Sequence, residues 1–162
     1  MRILFVCMGN ICRSPSAEAV LRELARREFP QLALEVDSAG THGYHVGEPP
    51  DARSIEAGRR RGYELGALRA RRVTSEDFRR FRLLLAMDGD NHARLLALAP
   101  AGLEHRARLF LGFDPHAGRP DVPDPYYGGP EDFELVLDLV ERAGRALLRR
   151  IAAGALDEGA DI

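Results

Sequence analysis

The stretch RILFVCMGNICRSPSAEAV, residues 2–20, changes its pattern twice along its length. Residues 3–6 form a continuous apolar run, which is typical of a parallel strand covered on both faces. From Ser14 onward apolar residues recur at helical spacing, and Pro15 suits the first position of a helix. The sequence therefore predicts a strand, a tight loop and a helix, with Cys7 at the carboxyl end of the strand.

The rest of the chain continues the alternation of strands and helices. Further strands are predicted over residues 34–38, 82–87 and 107–111, and helices over residues 51–62, 91–98 and from 131 to about 150. Parallel strands need crossover connections, and helical crossovers cover both faces of the sheet. The predicted fold is an α/β three-layer sandwich, with a four-stranded parallel sheet flanked by helices on both faces. Ligands collect at the carboxyl ends of such strands, where Cys7 stands.

Composition limits the classes of protein to consider. A chain of 162 residues with 45% hydrophobic side chains and no internal repeat predicts one domain over residues 1–162. A net charge of -2 gives no general attraction to nucleic acid. No run approaches the roughly eighteen apolar residues of a membrane span, and the first residues lack a secretory signal. We therefore expect a cytoplasmic protein that binds neither nucleic acid nor membranes.

The two cysteines of the chain are Cys7 and Cys12. A pair this sparse does not make the disulfide framework of a secreted protein. No further cysteine or suitably spaced histidine completes a zinc site, so we expect no metal ion. Reactivity is the better explanation for a cysteine that follows a buried strand.

The segment from Cys7 to Arg13 has the composition of an anion-binding loop. Gly9 lets the chain bend so that backbone amides converge, and the following helix aims its positive end at the same point. Such a field favours a thiolate at Cys7. The Arg13 guanidinium is able to hold two phosphate oxygens at once. We expect Ser14 to donate its hydroxyl to the sulfur and Asn10 to pin the loop.

A nucleophile that faces a bound phosphate suggests transfer of a phosphoryl group from an ester to sulfur. Breaking the ester also requires an acid that protonates the leaving oxygen. The stretch DVPDPYYGG, residues 121–129, offers Asp121 and Asp124 after the last predicted strand. Asp124 is the stronger candidate because Tyr126 and Tyr127 follow it. We expect their rings to line a cleft and to shield the carboxyl group from water.

Three motifs in order resemble the low-molecular-weight protein tyrosine phosphatase family: VCMGNICRSPSAE, VDSAGTHGYHVGEPPD and DPYYGG. The resemblance extends from residue 3 to about residue 148. It implies the phosphotyrosine phosphatase I-like fold and hydrolysis of phosphotyrosine or a similar aryl phosphate through a cysteinyl-phosphate intermediate. It implies no metal or organic cofactor. The partners it implies are a phosphotyrosine-containing protein or a small aryl phosphate, with inorganic phosphate as product.

The resemblance also implies the role of each catalytic residue. Cys7 matches the nucleophile, Arg13 the phosphate-binding arginine, and Asp124 the general acid that later acts as a base toward water. The phosphate-binding segment comprises Met8, Gly9, Asn10, Ile11, Cys12, Arg13 and Ser14.

Supporting roles follow from the same resemblance. Ser14 matches the hydroxyl that stabilises the thiolate, while Asn10 and Ser38 match residues that hold the loop by hydrogen bonds. Cys12 matches a cysteine that forms a disulfide with Cys7 on oxidation. The residues that match the walls of the substrate cleft are Met8, Ile11, Tyr44, Tyr126 and Tyr127.

The sequence departs from the family pattern at Leu68, where many members carry a histidine buried beneath the phosphate loop. This removes one support for the loop but no chemical participant. Relatives that act on phosphoarginine have threonine at the position of Ile11, so isoleucine favours an aryl phosphate.

Three other functions stay open: a phosphoarginine phosphatase, an arsenate reductase of the same fold, and a non-catalytic phosphate-binding module. The reductase needs a third cysteine, and the module needs no acid. Some residues also have ordinary structural interpretations. Cys12 is equally well explained by loop packing, the arginines at 69–72 by a solvated face, and the histidines by surface or loop positions. We predict a strand end and helix cap for Met87, Asp88 and Asn91.

Overall fold

The structure, a computed structural model, describes residues 1–156. Its four strands are β1 (Arg2–Cys7), β2 (Glu35–Gly40), β3 (Leu83–Ala86) and β4 (Ala107–Leu109). They form one parallel sheet in the order β2-β1-β3-β4. The predicted four-stranded parallel sheet is confirmed. The prediction of one domain over residues 1–162 extends past the described residues.

Helices cover both faces of this sheet. They are α1 (Arg13–Glu28), α2 (Ala52–Arg60), α3 (Asp77–Arg80), α4 (Gly89–Leu98) and α5 (Pro130–Ala152). On one face, Ile3 and Phe5 of β1 pack in a buried cluster with residues of α1 and α5. On the other face, Leu4 and Val6 pack with residues of α3 and α4. The alternation of neighbouring side chains between the two clusters explains why the strand is apolar throughout. The predicted three-layer sandwich is confirmed.

Several boundaries differ from the predicted ones. Helix α1 begins at Arg13, so Pro15 occupies its third position rather than its first. Strand β4 ends at Leu109, because Phe110–Phe113 turn into a 3-10 helix. Helix α3 has four residues, which is too short to show a helical repeat in the sequence.

The strand order places the carboxyl end of β1 at the switch point of the sheet. The chain continues from β1 to β2 on one side, whereas β3 lies on the other side. Crevices at such points are the usual ligand sites of open α/β sheets. Cys7 is the last residue of β1, and residues 8–12 connect it to α1 across this crevice.

Close approach of two backbones fixes the loop in place. Gly40 pairs with Cys7 at the end of β2. A Cβ atom at Gly40 would lie 2.7 Å from the carbonyl oxygen of Met8. Thr41 and His42 then donate their backbone amides to the carbonyls of Cys7 and Met8, at 2.9 and 3.0 Å. A glycine is therefore required at position 40.

Within residues 1–156, no helix combines the length and the apolar character needed to cross a membrane.

Candidate active site

The loop after Cys7 is held from below by the side chain of Asn10. Asn10 has a φ of 58°, in the left-handed region that asparagine tolerates better than most residues. Its Nδ2 donates to Ser14 Oγ at 2.8 Å and to Ser38 Oγ at 3.0 Å. Its Oδ1 accepts the backbone amide of Arg71 at 3.0 Å. These three contacts fix the strained turn.

The sulfur of Cys7 lies against a hydroxyl. Cys7 Sγ is 3.0 Å from Ser14 Oγ, and both side chains are buried. Ser14 Oγ also lies 3.5 Å from the carbonyl oxygen of Ala39, which is a second possible acceptor for its proton. Helix α1 has no acidic residue in its first turn, which leaves its positive end for an external anion. The arrangement suits a sulfur that carries negative charge.

A buried carboxylate continues this network away from the sulfur. Glu18 Oε1 accepts from Ser38 Oγ at 2.7 Å, and its Oε2 accepts from Arg22 Nη2 at 2.6 Å. Burial raises the pKa of Glu18, and the hydrogen bonds from Ser38 and Arg22 oppose that shift. No functional role was predicted for Glu18, because nothing in the local sequence pattern shows that it contacts Ser38.

Arg13 is buried and surrounded by acceptors. Its Nη1 donates to Asp88 Oδ2 at 2.7 Å and to the carbonyl of Val122 at 3.1 Å, while its Nη2 lies 3.7 Å from Asp124 Oδ2. Burial opposes the charge of Arg13, but Cys7, Asp88 and Asp124 favour it more strongly and raise its pKa. Arg13 is therefore a fixed cation at the cleft.

Asp88 has a second role besides the predicted helix cap. Its Oδ1 accepts the amide of Asn91 at 2.7 Å and caps α4, as expected. Its Oδ2 orients Arg13, which sequence analysis missed. Asp121 accepts the amide of Gly89 at 3.1 Å instead and is not among the residues that line the cleft beside Cys7.

A cavity of about 300 Å³ opens above Cys7, and we call it the catalytic cleft. The predicted cleft residues Met8, Ile11, Tyr44, Tyr126 and Tyr127 all line it; the other lining residues are Cys7, Gly9, Cys12, Arg13, His45 and Asp124. Asn10, Ser14 and Ser38 lie beneath it and hold the loop. His45 was predicted to be a surface or loop residue, and no local sequence pattern indicates that it lines the cleft.

The tyrosines do not shield the predicted acid. The Tyr126 and Tyr127 rings meet edge to face at 4.9 Å, but Tyr127 is 96% exposed. The side chain of Asp124 is 43% exposed. The prediction that the rings exclude water from this carboxyl group is therefore wrong for this structure. The two rings form an exposed rim.

Arg53 connects the two loops of the cleft, a role that sequence analysis missed. Its guanidinium makes two hydrogen bonds to Asp51, at 3.0 and 2.9 Å, and one to the carbonyl of Tyr126, at 3.0 Å. It also lies over the Phe133 ring, 4.6 Å from its centre. The Asp51 amide in turn donates to the carbonyl of Ile11 at 2.8 Å. Arg53 thus ties the loop that carries Asp124 to the loop above Cys7.

Cys12 is buried in the floor of the cleft, and neither cysteine is in a disulfide. Burial raises the pKa of Cys12 to about 12, although a hydrogen bond with Ser54 works in the opposite direction. Cys12 is consequently a neutral thiol at physiological pH.

Leu68 and the arginines that follow it differ in part from expectation. Leu68 is half-buried and packs against the core cluster that contains Phe5. Arg71 pairs with Asp37 at 3.0 Å and with Asp77 at 3.1 Å. The interpretation of residues 69–72 as a solvated face is therefore wrong for Arg71, which supports Asn10 through its backbone.

Comparison with known sequences identifies the family of the chain. A sequence model of the family described as low molecular weight phosphotyrosine protein phosphatase matches residues 2–156. The chain belongs to this family. The low molecular weight protein-tyrosine-phosphatase of Streptomyces coelicolor is 44% identical, over 93% of this chain and 93% of the relative. The human low molecular weight phosphotyrosine protein phosphatase is 40% identical, over 91% and 94%.

Solved structures give the same result. A crystal structure of a protein tyrosine phosphatase from Entamoeba histolytica superposes with a TM-score of 0.91 at 39% identity, and covers 96% of this chain and 99% of that chain. The structure of YfkJ from Bacillus subtilis has a TM-score of 0.88 at 36% identity, and covers 95% and 96%. Among the residues that the structure describes, no three His, Cys, Asp or Glu side chains are grouped to hold a metal ion.

Proposed function

We propose that this phosphatase hydrolyses phosphotyrosine or a similar aryl phosphate, with Cys7 as nucleophile, Arg13 as phosphate clamp and Asp124 as general acid and base. The observation that supports this most strongly is that all three side chains line one cleft of about 300 Å³. Ser14, 3.0 Å from the sulfur, is the hydroxyl that stabilises the thiolate.

The first step forms a covalent intermediate. The Cys7 thiolate attacks phosphorus, and the bond between phosphorus and the phenolic oxygen breaks. Asp124 gives its proton to that oxygen, so a neutral phenol leaves. Backbone amides of the loop and the Arg13 guanidinium stabilise the charge on the phosphoryl oxygens.

The second step returns the enzyme to its starting state. The Asp124 carboxylate takes a proton from water as the water oxygen attacks phosphorus. The bond between phosphorus and sulfur breaks, and the Cys7 thiolate leaves with the Ser14 hydroxyl as its hydrogen-bond donor. Inorganic phosphate is released, and Asp124 is protonated again.

The choice of substrate is supported by the walls of the cleft. Ile11 gives an apolar contact for an aromatic ring, and the exposed Tyr44 and Tyr127 form a rim that a phosphotyrosine on a protein chain would reach. A third cysteine for the arsenate reductase relay is absent from the sequence. An acid beside the nucleophile has no use in a module that only binds phosphate. Both cysteines must stay reduced for turnover, which supports a cytoplasmic location.

Replacing the nucleophile tests the function directly. We expect the parent protein to release nitrophenol from p-nitrophenyl phosphate without added metal, and Cys7→Ser to lose all measurable turnover, because a serine hydroxyl is not ionised there. Binding of phosphate or vanadate should persist in the variant, since the amides and Arg13 remain. Equal rates for variant and parent would remove Cys7 from the mechanism.

The general acid is tested by Asp124→Asn, with Asp121→Asn as a matched control in the same loop. We expect kcat to fall by about 10²- to 10⁴-fold for phenyl phosphate, whose leaving group needs a proton. The loss should be smaller for p-nitrophenyl phosphate. Asp121→Asn should leave both rates near those of the parent. A loss that does not depend on the leaving group would contradict the acid role.

The bridge made by Arg53 predicts a selective effect on the same step. Arg53→Ala removes the contacts to Asp51 and Tyr126 and frees the loop of Asp124, so we expect kcat for phenyl phosphate to fall by about tenfold. Arg59→Ala is the control, because Arg59 lies on the same helix and its side chain pairs, among residues 1–156, only with Glu56. A fall of equal size in the two variants would show that Arg53 does not position the acid.

Oxidation tests the role of Cys12. Peroxide converts the Cys7 thiolate to a sulfenic acid, and the Cys12 thiol then displaces water to form a disulfide. We expect dithiothreitol to restore most of the initial activity of the oxidised parent. Cys12→Ser should recover a much smaller fraction of its activity, because the sulfenic acid of Cys7 has no thiol to react with in this variant and oxidises further. Equal recovery in both proteins would argue for a packing role of Cys12 alone.

A further inference from the structure

A groove leaves the catalytic cleft along the length of α4. Its inner part, a cavity of about 680 Å³, shares Met8, Arg13 and Asp124 with the catalytic cleft. Its outer part, of about 530 Å³, shares Thr41, Arg94 and Ala97 with the inner part. The three cavities therefore adjoin one another, in a line along which an extended peptide would lie with its phosphotyrosine above Cys7.

Two arginines without partners face the outer part. Arg72 and Arg94 are exposed, and neither makes an ion pair or a hydrogen bond from its side chain to any residue within 1–156. Their neighbours differ, because Arg71 pairs with Asp37 and Asp77, and Arg79 pairs with Glu76. The hydroxyl residues Thr74 and Ser75 line the same outer part. The outer groove is thus a cationic surface whose charge the protein leaves uncompensated.

The inner part carries three carboxylates, Asp88, Asp90 and Asp124, besides Arg13 and Arg94, whereas no carboxylate lines the outer part. Asp90 lines it but not the outer part, and no described residue in 1–156 forms an ion pair with its carboxylate. Asp88, also in the inner part, already binds Arg13. An acidic side chain next to the phosphotyrosine would face the carboxylates of the inner part and be repelled. One farther along the chain would meet Arg72, together with Arg94 at the border of the two parts, and no carboxylate. The groove therefore distinguishes between positions in a substrate.

From this charge pattern we infer that the outer groove binds an acidic side chain of the substrate chain, several positions from its phosphotyrosine. A guanidinium binds a carboxylate through two parallel hydrogen bonds, and hydroxyls supply further donors. The inference rests on the proposed function, because it takes a phosphotyrosine peptide as the ligand. An exposed pair of this kind changes binding by about 1.4- to 5-fold, so two arginines give about 2- to 25-fold.

The test uses phosphotyrosine peptides of neutral residues with one glutamate moved along the chain, one position at a time on each side. The enzymes are the parent, the double variant Arg72→Ala/Arg94→Ala, and the control Arg59→Ala/Arg149→Ala, which removes the same charge outside the groove. Each kcat/KM is divided by the value of the same enzyme for p-nitrophenyl phosphate. This division removes effects on the catalytic cleft itself.

We expect the parent to prefer one distal glutamate position by about 2- to 25-fold, through a lower KM, and to show no gain for glutamate next to the phosphotyrosine. The preference should disappear in Arg72→Ala/Arg94→Ala, persist in the control and weaken with salt. In Arg72→Glu/Arg94→Glu, lysine should become the favoured residue at that position.

The possible failures are distinguishable. A parent that hydrolyses p-nitrophenyl phosphate but treats all peptides alike, or a preference that survives in Arg72→Ala/Arg94→Ala, overturns the groove inference and leaves the phosphatase activity standing. A parent that does not hydrolyse p-nitrophenyl phosphate overturns both.

Discussion

The direction of the hydrogen bonds from Glu18 to Cys7 is the constraint on which the site depends. Glu18 pairs with Arg22 at 2.6 Å, and a carboxylate in such a pair only accepts, so Ser38 donates its proton to Glu18, at 2.7 Å. The Ser38 oxygen then accepts from Asn10 Nδ2, which has a second hydrogen and gives it to Ser14. The Ser14 oxygen accepts from Asn10, and its own proton goes to the sulfur of Cys7, at 3.0 Å, when that sulfur is a thiolate, because a thiolate only accepts. A chain of hydrogen bonds between buried groups thus connects the Glu18 carboxylate to the sulfur.

The hydrogen bonds that Arg13 already makes determine which of its N–H groups remain for a phosphate. Nη1 uses both of its hydrogens, one on Asp88 and one on the carbonyl of Val122. The edge formed by Nε and Nη2 is the one left for two phosphoryl oxygens, in the geometry that guanidinium groups favour. Nη2 also lies 3.7 Å from Asp124. A phosphate bound to this edge would therefore lie beside the Asp124 carboxyl group.

The sequence predicts the sheet, the loop and the three catalytic candidates because these depend on local patterns. An apolar run that ends in Cys7, and a proline-rich loop around Asp124, are visible within a few residues. Asp88 was predicted only as a cap, because capping is a local property, whereas its contact to Arg13 joins residues 75 positions apart. Glu18 and Arg53 were missed for the same reason. In the sequence, each is an ordinary charged residue of a helix. Only the folded chain brings the Ser38 hydroxyl to Glu18 and the Tyr126 carbonyl to Arg53.

The proposed nucleophile and phosphate clamp are buried, whereas the residues proposed to contact the substrate chain are exposed. Cys7 and Arg13 are 3% exposed. Ser14 of α1 contacts the sulfur, and Asp88 and the carbonyl of Val122 hold the guanidinium of Arg13. Their geometry changes little with the residues outside the cleft, because these contacts come from buried or half-buried groups. The rim tyrosines and the arginines of the outer groove have no such packing. Substitutions there alter which chains are bound without disturbing the hydrogen bonds to the sulfur. A fold with this separation keeps one reaction while its surface adapts to different phosphorylated partners.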